Sequence, residues 1–220
     1  AAQNSKRAWY DGVAFSLDAN LENLTWSTFL GGGGNDALYS IKTDDSENII
    51  VGGGTASNDL DVSANALHDT FLGGRADGYL AVFDSTSDRN LKYLTYFGSA
   101  AYDQIYFVEV DRENLIYAAG QTEGNIAIKN AAYGQPNRGQ FISKLGKELD
   151  TVLLSTTIGN RINNPDISPT AFLVDNCDNI YISGWGSDID PNLHAGSTTD
   201  LPVTTNPPAL QPTTDGNDFW

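Results

Sequence analysis

Three segments of the chain carry the same succession of residues, and this internal repeat restricts the fold more than any other feature of the sequence. The segments run from Trp26 to Thr55, from Tyr93 to Thr122 and from Leu153 to Ser187. Within them, Asp44, Asp111 and Asp175 each end an apolar run, at steps of 67 and 64 residues. A repeat of this length predicts one supersecondary unit per repeat, with a core built between neighbouring units.

Each unit contains four short candidate strands joined by polar connections. In the best-preserved unit, the strands cover Leu38 to Thr43, Asn48 to Gly53, Gly78 to Phe83 and Leu91 to Phe97. Both faces of the strand around Ile105 are apolar, as expected for a sheet that is covered on both sides. No segment shows helical periodicity. The sequence therefore predicts an all-β chain with about 12 to 14 strands in four-stranded antiparallel sheets, arranged as blades of a β-propeller.

The repeat units span residues 11–76, 77–138 and 139–217 of a single β-propeller fragment (1–220), and a fourth unit starts at 218. We expect the chain to open with the last two strands of one blade, Gly12 to Leu17 and Leu24 to Leu30, and to reach a new third strand at Asp218. About three blades leave two sheet faces open, so the remaining blades are expected from a longer polypeptide or from other protein chains. Gly53, Gly120 and Gly184 share one repeat position, which predicts a bulge or a close backbone approach there.

Acidic residues dominate the charge of the chain, which has a formal net charge of −16. Most of the acids are aspartates, which favour turns because their short side chains bond to the local backbone. So negative a surface argues against nucleic acid as a partner. No apolar stretch is long enough for a transmembrane segment. The single cysteine, Cys177, excludes an intrachain disulfide and is interpreted as a small, inert packing residue.

The motifs LTWSTFLGG, NIIVGGGT and DGYLAVFD, followed in the last unit by NIYISGWGS, DLPVTTNPPALQ and DGNDFW, resemble a bacterial repeat family. This family is the seven-bladed-type β-propeller repeat of large secreted proteins. The loop of the last unit is similar to blade loops of Bacteroidetes surface proteins associated with gliding motility and type IX secretion. The resemblance implies an extracellular or cell-surface protein that serves adhesion or protein binding. Loop Asn58 to Val62 lacks the family's proline, so the loops are not expected to share one ligand.

No catalytic motif is found, since His68 and His194 have no nucleophile or metal partner at a recognisable spacing. Asp188, Asp190 and Asn192 present alternating oxygen donors, and they are candidate calcium ligands with ordinary turn residues as the alternative. No other cofactor is indicated. The candidate ligand or partner surface comprises Trp185, His194, His68 and Trp220, and surface glycans are candidate ligands. Ser85 lies in a short O-glycosylation-like motif and Asn23 in an N-glycosylation sequon.

The sequence thus favours a non-catalytic extracellular scaffold for adhesion or for protein–protein assembly. Two alternatives stay open at this stage. One is a propeller-borne carbohydrate-active enzyme, a glycosidase or lyase, with acids in its loops. The other is a structural subunit of an extracellular filament.

Overall fold

Twelve β-strands form four antiparallel sheets in the computed structural model, which describes residues 3–186, 196–199, 201, 202, 204, 209 and 213. Sheet 1 contains β1 (Gly12–Leu17) and β2 (Leu24–Leu30). Sheet 2 contains β3 (Asp36–Thr43), β4 (Ile49–Thr55), β5 (Asp77–Phe83) and β6 (Leu91–Phe97). Sheet 3 contains β7 (Asp103–Val110), β8 (Ile116–Thr122), β9 (Arg138–Leu145) and β10 (Val152–Ile162). Sheet 4 contains β11 (Ser168–Val174) and β12 (Ile180–Trp185).

Strands that follow each other in the sequence are also neighbours in the sheets. Sheets 2 and 3 have the orders β3-β4-β5-β6 and β10-β9-β8-β7, so each is a four-stranded antiparallel meander. The predicted all-β class and antiparallel four-stranded sheets are therefore confirmed for the described residues. None of these residues forms a helix, and so no helix among them is long and apolar enough to cross a membrane.

The four sheets pack face to face in chain order. Successive residues of a strand point to opposite faces of its sheet, and in the central sheets both faces are apolar. Along β5, Tyr79, Ala81 and Phe83 pack with Trp26 and Leu30 of sheet 1. The intervening residues of β5, Leu80 and Val82, pack instead with sheet 3, where they meet Ile105, Val108 and Phe141. A third cluster joins sheets 3 and 4 through Tyr117, Ala119 and Phe172. Sheets 2 and 3 are therefore each covered on both faces, as the repeat predicted.

The hairpins between the first and second strands of sheets 2, 3 and 4 use the same turn. The turn aspartate accepts two backbone N–H groups through one oxygen, for example those of Ser46 and Asn48 at Asp44, at 2.9 and 2.8 Å. The fourth turn residue adopts the left-handed conformation, with φ near 60° at Glu47, Asn114 and Asp178. These bonds stabilise the turns against the cost of positive φ.

The recurring glycines lie where the backbone of a neighbouring strand comes too close for a side chain. A Cβ at Gly53 would lie 1.9 Å from the Ala37 carbonyl oxygen, and one at Gly120 would lie 1.8 Å from that of Gln104. Opposite these glycines, the first strand of each sheet is bulged, at Tyr39 and at Tyr106. Gly184 occupies the same position beside a third bulge in β11. The predicted bulge and close approach are both confirmed.

We predict that Gly120→Ala lowers the free energy of unfolding by about 1 to 3 kcal/mol, because the new methyl group must push two paired strands apart. The same substitution at Gly184 should cost less, since the nearest atom to a Cβ there, the Ser168 carbonyl oxygen, is 2.7 Å away. Chemical denaturation monitored by tryptophan fluorescence measures both.

Gly33→Ala is the matched control for this comparison. The nearest atom to a Cβ at Gly33 is 3.4 Å away, which is ordinary van der Waals contact. Its free energy of unfolding should stay within about 0.5 kcal/mol of that of the parent protein. Equal losses for Gly33→Ala and Gly120→Ala would contradict the steric explanation.

Candidate interaction surfaces

Buried aspartates hold the loops that connect one sheet to the next. Asp36, Asp103 and Asp166 stand at or just before the first strand of sheets 2, 3 and 4, and none of them is more than 4% exposed. Each accepts a backbone N–H from the segment that precedes it, donated by Gly32, Ser99 or Asn160 at 2.9, 2.7 and 2.8 Å. Burial raises the pKa of all three carboxyl groups. These acids therefore have a structural role.

A second set of aspartates lies directly before β1 and at the start of β5. Asp11 accepts backbone N–H groups of Arg7 and Ala8 at 2.6 and 3.1 Å, and Asp77 accepts those of Leu72 and Gly73. Asp77 is fully buried and its Oδ1 has no hydrogen-bond partner. Burial raises the pKa of Asp77 to about 7, and the charge of Asp103 adds to the shift. A carboxyl group with this pKa is partly protonated at neutral pH.

These two sets of aspartates meet across the boundaries between sheets. The Asp36 N–H donates to the Tyr10 carbonyl at 2.8 Å, and the Asp103 N–H donates to the Ala76 carbonyl at 2.9 Å. Asp36 is thereby held close to Asp11, and Asp103 close to Asp77, so that one carboxylate raises the pKa of the other. Because backbone donors bond to these carboxylates, each pair connects two sheets; Asp11 and Asp36 also line a groove between β1 and β3.

The sequence-predicted site residues in the described part of the chain do not come together. His68 lies in the loop between β4 and β5, where its backbone bonds to Thr95, and burial lowers the pKa of its side chain. Trp185 ends β12, in the far sheet of the stack, and is half-buried opposite Ser168. The two residues therefore do not form one binding surface. The candidate ligands Asp188, Asp190 and Asn192, together with His194 and Trp220, lie outside the described residues. Among the described residues, no group of three or more His, Cys, Asp or Glu side chains is placed to hold a metal ion.

Both candidate glycosylation residues are exposed. Ser85 follows Asp84 in a turn in which Asp84 accepts the backbone N–H and the hydroxyl of Thr86. Asn23 ends a turn just before β2, and its side-chain amide donates to Asp18 at 2.6 Å. The other two residues of the sequon, which follow Asn23, lie in β2.

Cys177 does not fill space in the core, whereas its low reactivity stays a prediction. The side chain is exposed in the turn between β11 and β12, and the residue contributes its backbone N–H to Asp175 at 2.8 Å. A position in a repeated turn is filled for its backbone conformation, so residue size alone could not indicate burial.

The outward face of sheet 1 is apolar and exposed. Val13, Phe15 and Leu17 are 54%, 55% and 45% exposed. Their repeat equivalents in β5, the residues Tyr79, Ala81 and Phe83, are completely buried against sheet 1. At the other end of the stack, Leu173 and Tyr181 of sheet 4 are 52% and 54% exposed, whereas Tyr117, the equivalent of Tyr181, is 4% exposed. The two ends of the stack thus present faces of the type that the central sheets bury.

A groove of about 580 Å³ runs between β1 and β3, beside the exposed face of sheet 1. Its walls include Val13, Leu38, Tyr39 and Gly54, with Gln104 at one end. A smaller cavity of about 270 Å³ continues it along Phe15 and Ile41. No pattern in the sequence indicates this groove, because it depends on the spacing between two strands that belong to different sheets.

No protein-family model and no curated protein matches this sequence. The repeat and the geometry of the sheets therefore carry the functional argument.

We predict that Asp77→Asn reduces the pH dependence of stability between pH 4 and 7. The native pKa of about 7 lies above the ordinary value of 3.8, so the native state binds this proton more tightly than the unfolded state does. The free energy of unfolding of the parent protein should therefore fall as the pH rises from about 4 to about 7. The asparagine variant should lose up to about 1.4 kcal/mol per pH unit of this slope. Urea unfolding at several pH values measures it.

Asp84→Asn controls for the loss of an aspartate as such. Hydrogen bonds from Thr86 and Asn90 lower the pKa of Asp84, so its contribution to stability is lost only as the pH falls through that lowered value. The slope between pH 5 and 7 should match that of the parent protein. A full slope in Asp77→Asn would show that Asp77 does not hold the proton.

Proposed function

We propose that this chain is a non-catalytic, extracellular scaffold of the β-propeller type, which assembles with further sheets of the same repeat and presents its loops to partners. The single observation that carries the proposal is the contrast between equivalent positions. Phe15 is 55% exposed, whereas its equivalent Ala81 is completely buried between two sheets. Among the described residues, a face of the type that the repeat covers elsewhere stays open at each end of the stack.

The energetic argument for assembly follows from the apolar area of these faces. Full burial of a Val, Leu or Phe side chain contributes about 1.5 to 3 kcal/mol. Val13, Phe15 and Leu17 lie on one face of one strand, so a single packed sheet would cover all three. A partner that matches the established interfaces therefore gains stability at each of these positions.

Four-stranded antiparallel meanders that are covered on both faces are the units from which propellers are built, which supports the blade assignment of sheets 2 and 3. The resemblance of the repeat motifs supports the same assignment and the location outside the cell. In this proposal the exposed side of each terminal sheet is covered by a further blade, from the same polypeptide or from another one.

The loops support a role in presenting contacts. The loop between β4 and β5 (56–76) and the loop between β8 and β9 (123–137) leave the sheets at the end that carries the buried strand-start aspartates. Leu60 and Ile126 anchor these loops, since both are buried in the core between sheets. Loops that differ in sequence on a fixed scaffold are suited to binding a partner. The same loops also have to be tested for adhesion to surface glycans.

The glycosidase alternative gains no support from the pair Asp77 and Asp103. Asp77 and Asp103 are fully buried and accept hydrogen bonds from their own loops. Glycoside hydrolysis requires two carboxyl groups that face a substrate across a cleft. We therefore favour the scaffold.

We predict that Phe15→Ser weakens self-association of the 220-residue chain and its binding of a hydrophobic dye. The substitution removes the largest apolar side chain from the outward face of β1 without disturbing a buried contact. Light scattering over a concentration series, together with dye fluorescence, measures both effects.

Ile162→Ser is the matched control, because Ile162 is 70% exposed at the end of β10 and lies away from the terminal faces. It should leave both readings unchanged. A parent protein that is monomeric at all concentrations and binds no dye would contradict the proposed function.

A further inference from the structure

The groove between β1 and β3 has a filled counterpart elsewhere in the same molecule. Between sheets 2 and 3, the corresponding space is occupied by β4, which pairs with β5 and lies against β7. Contact is close enough that a Cβ at Gly52 would lie 2.7 Å from Val108 Cγ1 and 2.8 Å from Ile105 Cγ2. The groove beside β1 therefore has the position and the walls of a strand-binding site.

Exposure of the groove walls supports this comparison. Ile41 occupies in β3 the position that Val108 occupies in β7, yet Ile41 is 49% exposed and Val108 only 1%. Among the described residues, β1 has a sheet neighbour on one edge only, the strand β2. An occupant would thus find free backbone groups on β1 and an apolar wall on β3, which are the two requirements for adding a strand to a sheet.

The required occupant is an extended segment with small residues where it crosses the first strand of the next sheet. β4 meets this need with Gly52 and Gly53, and β8 meets it with Ala119 and Gly120. At the same repeat positions β12 has Ser183 and Gly184. Within the described part of the chain, β12 is also paired on one edge only, with β11. The third strand that the sequence predicts to begin at Asp218 lies outside the described residues, and it is the competing occupant of the other edge of β12.

We infer that β12 of one copy pairs antiparallel with β1 of a second copy, so that the order β11-β12-β1-β2 completes a four-stranded sheet. This inference rests on the proposed assembly function and deepens it by naming the partner segment. Pairing of Ile49 with Phe83, Val51 with Ala81 and Gly53 with Tyr79 sets the register. Transferred through the repeat, it places Ile180 opposite Leu17, Ile182 opposite Phe15 and Gly184 opposite Val13.

This single pairing covers both apolar ends of the stack. Phe15 and Leu17 of the second copy would pack on the sheet 3 face that carries Tyr117 and Ala119 in the first copy. Tyr181 of the first copy would pack on sheet 2 of the second. The larger and the smaller apolar residue are interchanged in β1, where Phe15 stands at the position of Ala81 and Val13 at the position of Tyr79. The apolar volume brought to the interface is therefore similar. The contact joins different surfaces of the two copies and is therefore head-to-tail.

The register is tested by disulfide formation between two preparations of the 220-residue chain. Both carry Cys177→Ser, because the native thiol is exposed. One preparation carries Leu17→Cys and the other carries Ile180→Cys, at positions 45% and 42% exposed, so that folding should be unaffected. Directly opposed side chains of antiparallel strands are close enough to be linked. We expect mild oxidation of the mixture to give a covalent heterodimer at least tenfold faster than either preparation forms a homodimer.

The control mixture replaces Ile180→Cys by Tyr181→Cys. Tyr181 is equally accessible but points to the opposite face of the strand, so its heterodimer should form no faster than the homodimers. Equal rates for positions 180 and 181, or no heterodimer at all, would overturn the inference. If Phe15→Ser nevertheless weakens self-association, assembly through the sheet faces stands and only the strand pairing fails.

Discussion

The structure depends on one constraint, which is that its central sheets are apolar on both faces and must be covered on both. Every residue of β4, β5 and β8 is buried, although these strands belong to sheets only four strands wide. Such a sheet gains most of its stability from burial against its neighbours, because each apolar face otherwise remains in water. In the proposed assembly, further sheets cover the apolar ends of the stack, and this links the fold to the proposed function.

Hydrogen bonds to aspartates fix the positions of the turns and of the loops between sheets. At one end of the sheets, Asp44 and its repeat equivalents bond to the hairpin turns. At the other end, Asp36 and its equivalents bond to the loops between sheets. An apolar interface allows one sheet to slide on another, whereas a buried carboxylate with specific N–H donors has one best position. The strongly acidic composition thus has a structural cause in addition to its effect on the surface.

Local patterns in the sequence were enough to predict the strands and the positions of the glycines. The predicted bounds of β1, β2 and β6 agree with the structure, since apolar alternation and polar turns delimit them. β3 begins earlier than predicted, at Asp36, because this residue pairs with Thr55 of β4 and its side chain accepts a hydrogen bond from the Ser57 hydroxyl just beyond that strand. The pairing of Asp77 with Asp103 and the groove beside β1 could not be predicted, because both depend on distances between residues of different sheets.

The boundaries between sheets are chemically different, although the repeat makes them similar in shape. At the first two boundaries a carboxyl group faces another carboxyl group, Asp11 near Asp36 and Asp77 near Asp103. At the third boundary, Asp166 lies near Arg138 and Arg161, whose positive charges oppose the effect of burial on its pKa. Ionisation at higher pH therefore adds repulsion at the first two boundaries, whereas at the third it creates a charge that two arginines attract. The third boundary, which holds sheet 4 and hence β12 in place, therefore differs from the other two in the charges around its buried carboxyl group, although burial raises the pKa of Asp166 as well.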